Sequence, residues 1–513
     1  MKDFKCLVSL FVLFFVSQFL FSQEYEQYLE KLDKYFQSSM QEWEVPGMAI
    51  AIVKDDTIIF AKGYGLRNIE KPEKVDENTM FGIASNTKAF TSAALAILVD
   101  EKKIDWDDKV TKHLPYFEMY NSYVTKEMTI RDLLCHRSGL KTFSGDLLWH
   151  STSYSRKDII ERIKFLKPIY GFRSHFGYSN LMFLTAGEII SEITGISYDE
   201  FLQNNFFAPL EMKNTNTSIK EFKNVENLAS PHVKFNDKII PIKYISWDNI
   251  APAGGINSSV MDMCKWIKLQ LHRGIINDKT YFSKEASHEM WTPQTIDRLS
   301  ATDEILFPTK HFTTYGLGWD LFDYHGRKIV NHSGGLDGMI SQLVLVPEEK
   351  LGFIILTNST NYLPYTLMYS ILDVFFEEKG KDYSSIFLNF IIQNEAYKKD
   401  LKIKTENERN NELKPSFKPE EYAGTYRSDL YGDATVKLNN DTLVLQFVPA
   451  PEFTSNLEHW QFDIFTVEFE NFPSLPSGTI DFIIDDSAEI HEMRIEIINP
   501  DFDFTELKFI KIK

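Results

Sequence analysis

Cysteine is scarce in this chain: there are three in 513 residues, and one of them, Cys6, lies in the N-terminal apolar run. Cys135 and Cys264 therefore allow one disulfide at most, which excludes a disulfide-stapled scaffold, and both are expected to be buried thiols. No Cys/His cluster has zinc-ligand spacing, so neither a metal nor any other cofactor is called for. Positive charge is also short. Lys and Arg number 55 against 73 Asp and Glu, a net charge of -18, and no basic patch stands out. That balance argues against sequence-blind binding to nucleic acid or to an anionic membrane, which needs dense Lys and Arg. No solenoid-type repeat is present.

Apolar material is abundant, with 43% hydrophobic residues, 41 Phe and 23 Tyr, enough for two or more packed units. Lys2 and Lys5 precede an apolar run from Cys6 to Phe21, broken by Ser17 and Gln18. This is the pattern of a secretory signal over residues 1–22 with Ser22 at the cleavage position, and it predicts export to the periplasm or the medium. Leu20 is larger than the residue usual two places before cleavage, so an uncleaved membrane anchor is the alternative. Removing residues 1–22 takes away Lys2, Lys5 and Asp3 and moves the charge from -18 to -19.

Residues 24–42 read as a charged amphipathic helix. Met48 to Val53 and Thr57 to Lys62 are alternating apolar runs around Asp55 and Asp56, a hairpin. Turn-rich segments leading into or out of helices follow, and "KIVNHSGGLDGMISQLVLVPEEKLGFIILTN" adds two strands turning at Pro347 to Lys350. Strands at both ends with helices between predict an α+β unit over 23–380, its terminal strands sharing one antiparallel sheet. Residues 381–417 read as a charged helical linker carrying Pro415. Residues 418–513 are short alternating strands, a small all-β and barrel-like domain. The polar linker predicts two separable parts.

Chemistry enters at "FGIASNTKAFTSAAL", where Ser85 and Lys88 stand three apart at the opening of a helical pattern and so on one face. A serine hydroxyl needs a base to become a nucleophile, and a lysine stripped of its proton by burial can serve. The plainer reading is an N-cap serine and a surface lysine. The same spacing recurs at Ser138 and Lys141, but Gly139 follows that serine and no helix does. "FGYSN" offers Tyr178 as a proton shuttle and Asn180 to orient a substrate carbonyl, or else a packed tyrosine and a cap. "NHSGGLDG" offers His332, Ser333, Gly334 and Gly335, a strand backbone open to close approach, or else a glycine-rich hairpin.

In this order, with "VPGMAIAIV", "GYGL", "LLCHRSGL", "PAGGINSS" and "YGLGW", the motifs over residues 40 to about 360 resemble the serine hydrolases related to class C β-lactamases, D-alanyl-D-alanine carboxypeptidases, D-aminopeptidases and certain esterases. The resemblance implies a β-lactamase/transpeptidase-like fold and an acyl-enzyme on Ser85. Lys88 and Tyr178 would share acid and base work, and Asn180, His332, Ser333 and Gly334 would contact substrate. The backbone N–H groups of Ser85 and Gly335 would form the oxyanion hole. His332 stands where β-lactamases and carboxypeptidases usually carry lysine, which resembles the D-aminopeptidases more and points to small peptides, amides or esters. A β-lactamase, a carboxypeptidase on cell-wall-type substrates or a silent penicillin-binding-like protein is the alternative. His136 is expected in the wall behind the site. "YAGTYRSD" and "HWQFDIFTVEF" resemble lipocalin-like domains appended to some of these enzymes, here read as a module without a ligand. The partner expected is a small-molecule or peptide substrate; homo-oligomerisation stays open.

Overall fold

The computed structural model describes residues 26–407, 409 and 412–512. The expected signal segment, residues 1–22, lies outside the described residues, and among those described no helix is long and apolar enough to cross a membrane.

An eight-stranded sheet organises the larger part. Its strands are β1 (Gly47–Lys54), β2 (Thr57–Gly65), β3 (Thr295–Asp297), β4 (Thr313–Tyr315), β5 (Asp320–Tyr324), β6 (Arg327–Leu336), β7 (Met339–Val346) and β8 (Leu351–Thr357). Their order is β2-β1-β8-β7-β6-β5-β4-β3, antiparallel throughout, so the first and last runs of the α+β unit do meet in one sheet. The β1–β2 hairpin turns at Asp55 and Asp56, whose φ values of 46° and 63° suit the two-residue turn that matches strand twist. Alternate residues of β1 enter two different cores. Ala49, Ala51 and Val53 join the large one, while Met48, Ile50 and Ile52 join a second with Leu32, Phe36, Leu367 and Ile371. Being covered on both faces explains why "MAIAIV" lacks polar residues.

Helix α1 (26–42) and helix α4 (Leu363–Phe375) cover the second face. On the other face lie α2 (Thr87–Asp100), eleven of whose fourteen residues are buried, and α3 (Asn180–Thr194). Such a helix cannot be amphipathic. Its alanines let neighbouring backbones close in, and Phe90 stacks on Trp266 at 3.6 Å. Cys135 and Cys264 are free and buried, and burial pushes both thiols up to about 12.

Helix α5 (Tyr383–Asn407) leads to a closed eight-stranded barrel running from Gly424 to Lys511. Phe447, Phe453, Phe469, Phe504 and Phe509 pack inside it, with Phe453 and Phe469 4.9 Å apart and edge-on. The linker does not leave the barrel hanging free. Barrel residues and the large core form one apolar cluster. Tyr154 donates to Tyr431 O at 2.6 Å, Ser153 N–H to Pro449 O at 2.9 Å, and His150 stands 4.5 Å from Phe502. The expectation of two separable parts came from the linker's polarity, which says nothing about what residues 141–162 touch.

Candidate active site

Ser85 sits in a tight 3-10 turn, Ala84–Asn86, that runs directly into α2, so it lies two residues ahead of the helix rather than within it. Ala84 has φ of 46°, the left-handed region that costs a residue with a Cβ about 1 kcal/mol. The surroundings hold it there. Ser341 donates to Ile83 O at 2.7 Å and accepts from the Asn86 side chain at 2.7 Å, and Ile83 N–H donates to Ile256 O at 2.9 Å. Strand β6 comes in beside this turn because residue 334 is glycine. A Cβ there would lie 2.2 Å from Ile83 O and 2.9 Å from Ser85 N. Ser333 and Gly335, the residues on either side, are exposed.

Lys88, the second residue of α2, is fully buried. Its Nζ lies 2.9 Å from Ser85 Oγ, 2.7 Å from Asn180 Oδ1 and 2.8 Å from Ala253 O. Burial lowers its pKa from 10.5 to about 7, against the opposing pull of Asp146 and Asp320. As a neutral amine it has two hydrogens and one lone pair. Asn180 Oδ1 and Ala253 O can only accept, so they take the hydrogens and the lone pair faces the Ser85 hydroxyl. The plainer reading of a solvated surface lysine is therefore excluded.

Asn180 opens α3 and is buried. Its amide is oriented by Asp146, whose Oδ2 accepts from Nδ2 at 2.6 Å and so turns Oδ1 towards Lys88. Burial raises Asp146 to about 8, with the Asn180 hydrogen bond opposing. Tyr178 is half-buried; burial raises its hydroxyl well above the ordinary value, while a hydrogen bond with Ser85 works the other way. Lys88 Nζ lies 4.7 Å from the Tyr178 ring centroid and 5.3 Å from that of Phe183.

His136 lies behind Tyr178, ring to ring at 4.1 Å, and its Nδ1 accepts the Ser179 N–H at 3.0 Å. Burial, and then repulsion from Lys88 and His332 whenever these carry a proton, lower its pKa well below the usual range. His332 does not project into the cleft. It is buried, its Nε2 2.9 Å from Tyr315 Oη and its Nδ1 2.5 Å from Ser333 O. Burial and Lys88 lower it to about 3, so Nδ1–H donates and Nε2 accepts from Tyr315. Of the "NHSGG" residues expected to contact substrate, Ser333 is exposed, Gly334 is buried against the Ser85 turn, and the imidazole belongs to the wall. Lys141, of the second serine–lysine pair, pairs instead with Asp503 of the barrel at 2.7 Å.

Asp146, Ala253 O and Tyr315 escaped the sequence reading. Ala253 and Tyr315 lie in quoted motifs, but a backbone carbonyl and a buried ring partner have no signature. Asp146 lies 34 residues before Asn180 in a stretch without periodicity.

The Ser85 turn, wedged between a buried lysine on α2 and a glycine of β6, sets a serine and a lysine side by side over an antiparallel sheet of the β-lactamase/transpeptidase-like fold. The β-lactamase family model matches residues 32–368, and the chain belongs to that family. Residues 408–511 match a domain of unknown function, DUF3471. The unguisins hydrolase ungD' of Aspergillus campestris is 29% identical over 354 residues, 65% of this chain and 63% of that protein. Protein flp of Staphylococcus aureus is 28% identical over 343 residues, 65% of this chain and 64% of its own length. The chain thus matches under two thirds of these relatives. The octameric penicillin-binding protein homologue from Pyrococcus abyssi superposes with a TM-score of 0.62 over 94% of this chain and all of that one, at 23% identity, a likeness of fold.

Proposed function

We propose that this protein is a serine hydrolase that cleaves small peptides, amides or esters through an acyl-enzyme on Ser85. The observation that carries the reading is the Lys88 amine. It is buried, lowered to about 7, and has both hydrogens engaged so that its lone pair meets Ser85 Oγ at 2.9 Å. Ser85 Oγ bonds to the carbonyl carbon as its proton passes to the Lys88/Tyr178 pair. The carbonyl oxygen gains charge facing the N–H groups of Ser85 and Gly335. The same pair returns a proton to the departing amine or alkoxide, and water then hydrolyses the acyl ester, restoring the Ser85 hydroxyl.

Two observations favour substrates without a recognised carboxylate. His332, standing where a cation would be, is held neutral and turned away. Beside the nucleophile turn, a small recess lined by Ile219, Tyr244, Trp247, Gly254 and Leu336, with Asp248 and Asn257, offers no cation to receive a carboxylate. That a relative is named a hydrolase supports turnover over silent binding.

The test is labelling of the mature protein with a fluorophosphonate, followed by kcat/KM for p-nitrophenyl acetate, D- and L-amino acid p-nitroanilides and nitrocefin. Label is expected at Ser85, absent from Ser85→Ala and absent from Ser138. A wild type that takes no label and turns over nothing would return the protein to the silent class. Nitrocefin outrunning every ester and amide would make it a β-lactamase.

A further inference from the structure

Two segments form the wall that carries Tyr178 and Asn180, and they are laced together. Phe143 N–H donates to Tyr178 O at 2.8 Å, Tyr178 N–H to Thr142 Oγ1 at 3.2 Å, and Asn180 Nδ2 to Asp146 Oδ2 at 2.6 Å. A Cβ on Gly177 would stand 2.1 Å from Leu140 O, so the two backbones are in contact. Where the 141–146 turn sits therefore decides where the Asn180 amide points, and that amide is one of the two acceptors aligning Lys88.

The outer side of this turn is held by the barrel. Glu506 Oε2 accepts the Gly145 N–H at 2.8 Å, and Glu506 Oε1 accepts from the Ser144 hydroxyl. Asp503 pairs with Lys141 at 2.7 Å. Gly145, at φ of 80°, is pressed from within, since a Cβ there would stand 2.6 Å from Leu166 and 2.7 Å from Leu181. Further along, His150 Nε2 lies 3.3 Å from Asp337 Oδ2, and Ser474 of the barrel donates to Asp337 Oδ1 at 2.9 Å. Asp337 follows β6, so the barrel touches both walls of the cleft.

We propose that Glu506 is a positioning residue for the catalytic centre, acting through Ser144 and Gly145 on Asp146, then on the Asn180 amide and Lys88. This rests on reading Ser85 as the nucleophile. The barrel is thereby part of the catalytic apparatus rather than a stabilising appendage, although none of its side chains need touch substrate. The second-order rate of Ser85 labelling reads the effect, because it depends on how the lysine is aligned.

The experiment uses the full chain with Glu506→Ala, Glu506→Gln, Ser144→Ala and Asp146→Ala, the last also combined with Glu506→Ala. Glu506→Ala should cut the fluorophosphonate labelling rate about tenfold, the scale of a sub-ångström misplacement. Amide hydrogen exchange at 141–146 and 177–180 should quicken while barrel strands stay protected. Glu506→Gln can still accept from Gly145 N–H and donate to Ser144 Oγ, and should keep a rate within about twofold of wild type. In the Asp146→Ala background, Glu506→Ala should add little, since both act through one turn. If Glu506→Ala is insoluble, Ser144→Ala decides, with an expected fall of about threefold. Labelling unchanged in Glu506→Ala despite a lower Tm overturns the proposal, as does full additivity with Asp146→Ala. An unlabelled wild type sinks the hydrolase reading instead.

Discussion

Replacing Lys88 by methionine should abolish acylation and, near neutral pH, make the protein more stable. The lysine's pKa falls from 10.5 in the open chain to about 7 in the fold. At about 1.4 kcal/mol per unit, that gap costs the folded state on the order of 4 kcal/mol at pH 7. Methionine, of similar length, removes the cost but leaves Asn180 Oδ1 and Ala253 O without their donor. Each lost hydrogen bond costs about 1 kcal/mol, so a net gain of about 2 kcal/mol is expected at pH 7. The pH dependence gives the sharper check. Between pH 7 and 10.5 the unfolded chain keeps a proton on Lys88 that the folded chain has lost, so wild-type stability gains with pH from this group. Its penalty is full below pH 7 and gone above 10.5, where the variant should become the less stable by about 2 kcal/mol. Asp146 and Asp320, raised to about 8 and about 7, act in the opposite sense. They are present in both proteins and largely cancel in the difference. Urea midpoints of wild type and Lys88→Met at pH 6, 7, 9 and 10.5 measure it. A difference that does not change sign with pH would refute the claim that Lys88 is folded against its own charge.

Lys88→Arg should be as inactive towards p-nitrophenyl acetate as Lys88→Met, because a guanidinium keeps its proton. In the wild type, kcat/KM should fall as pH drops through about 7, where Lys88 regains its proton, with the apparent midpoint belonging to the coupled Lys88, Tyr178 and Asp146 groups. Gly334→Ala should lose ester turnover at least a hundredfold and destabilise by about 2 kcal/mol, since its Cβ meets Ile83 O at 2.2 Å and Ser341 Oγ at 2.5 Å; kinetics and thermal melts check both. His332→Lys should lower Tm and reduce turnover of every substrate, nitrocefin included, because it places an ammonium against Tyr315 in a buried wall.

What was legible in the sequence was whatever rests on local chemistry. The serine–lysine spacing, the hairpin at Asp55 and Asp56 and the alternation of the barrel strands are short-range patterns, and each is where the residues implied. The three motifs converge because a strand without a Cβ at 334 can lie against the Ser85 turn. What stayed hidden depends on long-range contact. Asp146 orients Asn180 only because the 141–146 turn folds back over Gly177, and Glu506 reaches that turn across 361 residues of chain. His332 was read as contacting substrate from the resemblance, which sets it where a lysine is usual; the Tyr315 hydroxyl, from β4, holds its ring in the wall instead.

The distribution of unfavourable features bears on whether the site works or merely binds. Ala84 is held at positive φ, Lys88 is buried against its charge, and Asp146 and Asp320 are carboxyls raised far above their ordinary value. His136 adds a buried Nε2 with no hydrogen-bond partner. Each costs stability, and all lie around Ser85. Elsewhere in the same core, α2 is lined by Ala89, Ala93 and Ala96, and the rings of Phe90 and Trp266 stack at 3.6 Å, with one unpartnered buried donor there, Trp266 Nε1. A binding surface needs complementarity in the ground state, which apolar packing supplies at no such cost. A lysine held near neutrality beside a hydroxyl gains nothing in binding; its use appears only when a proton must leave. Strained backbone and unpartnered polar atoms occur elsewhere too, but the buried lysine with carboxyls raised beside it at one serine is an argument for turnover that does not depend on the relatives.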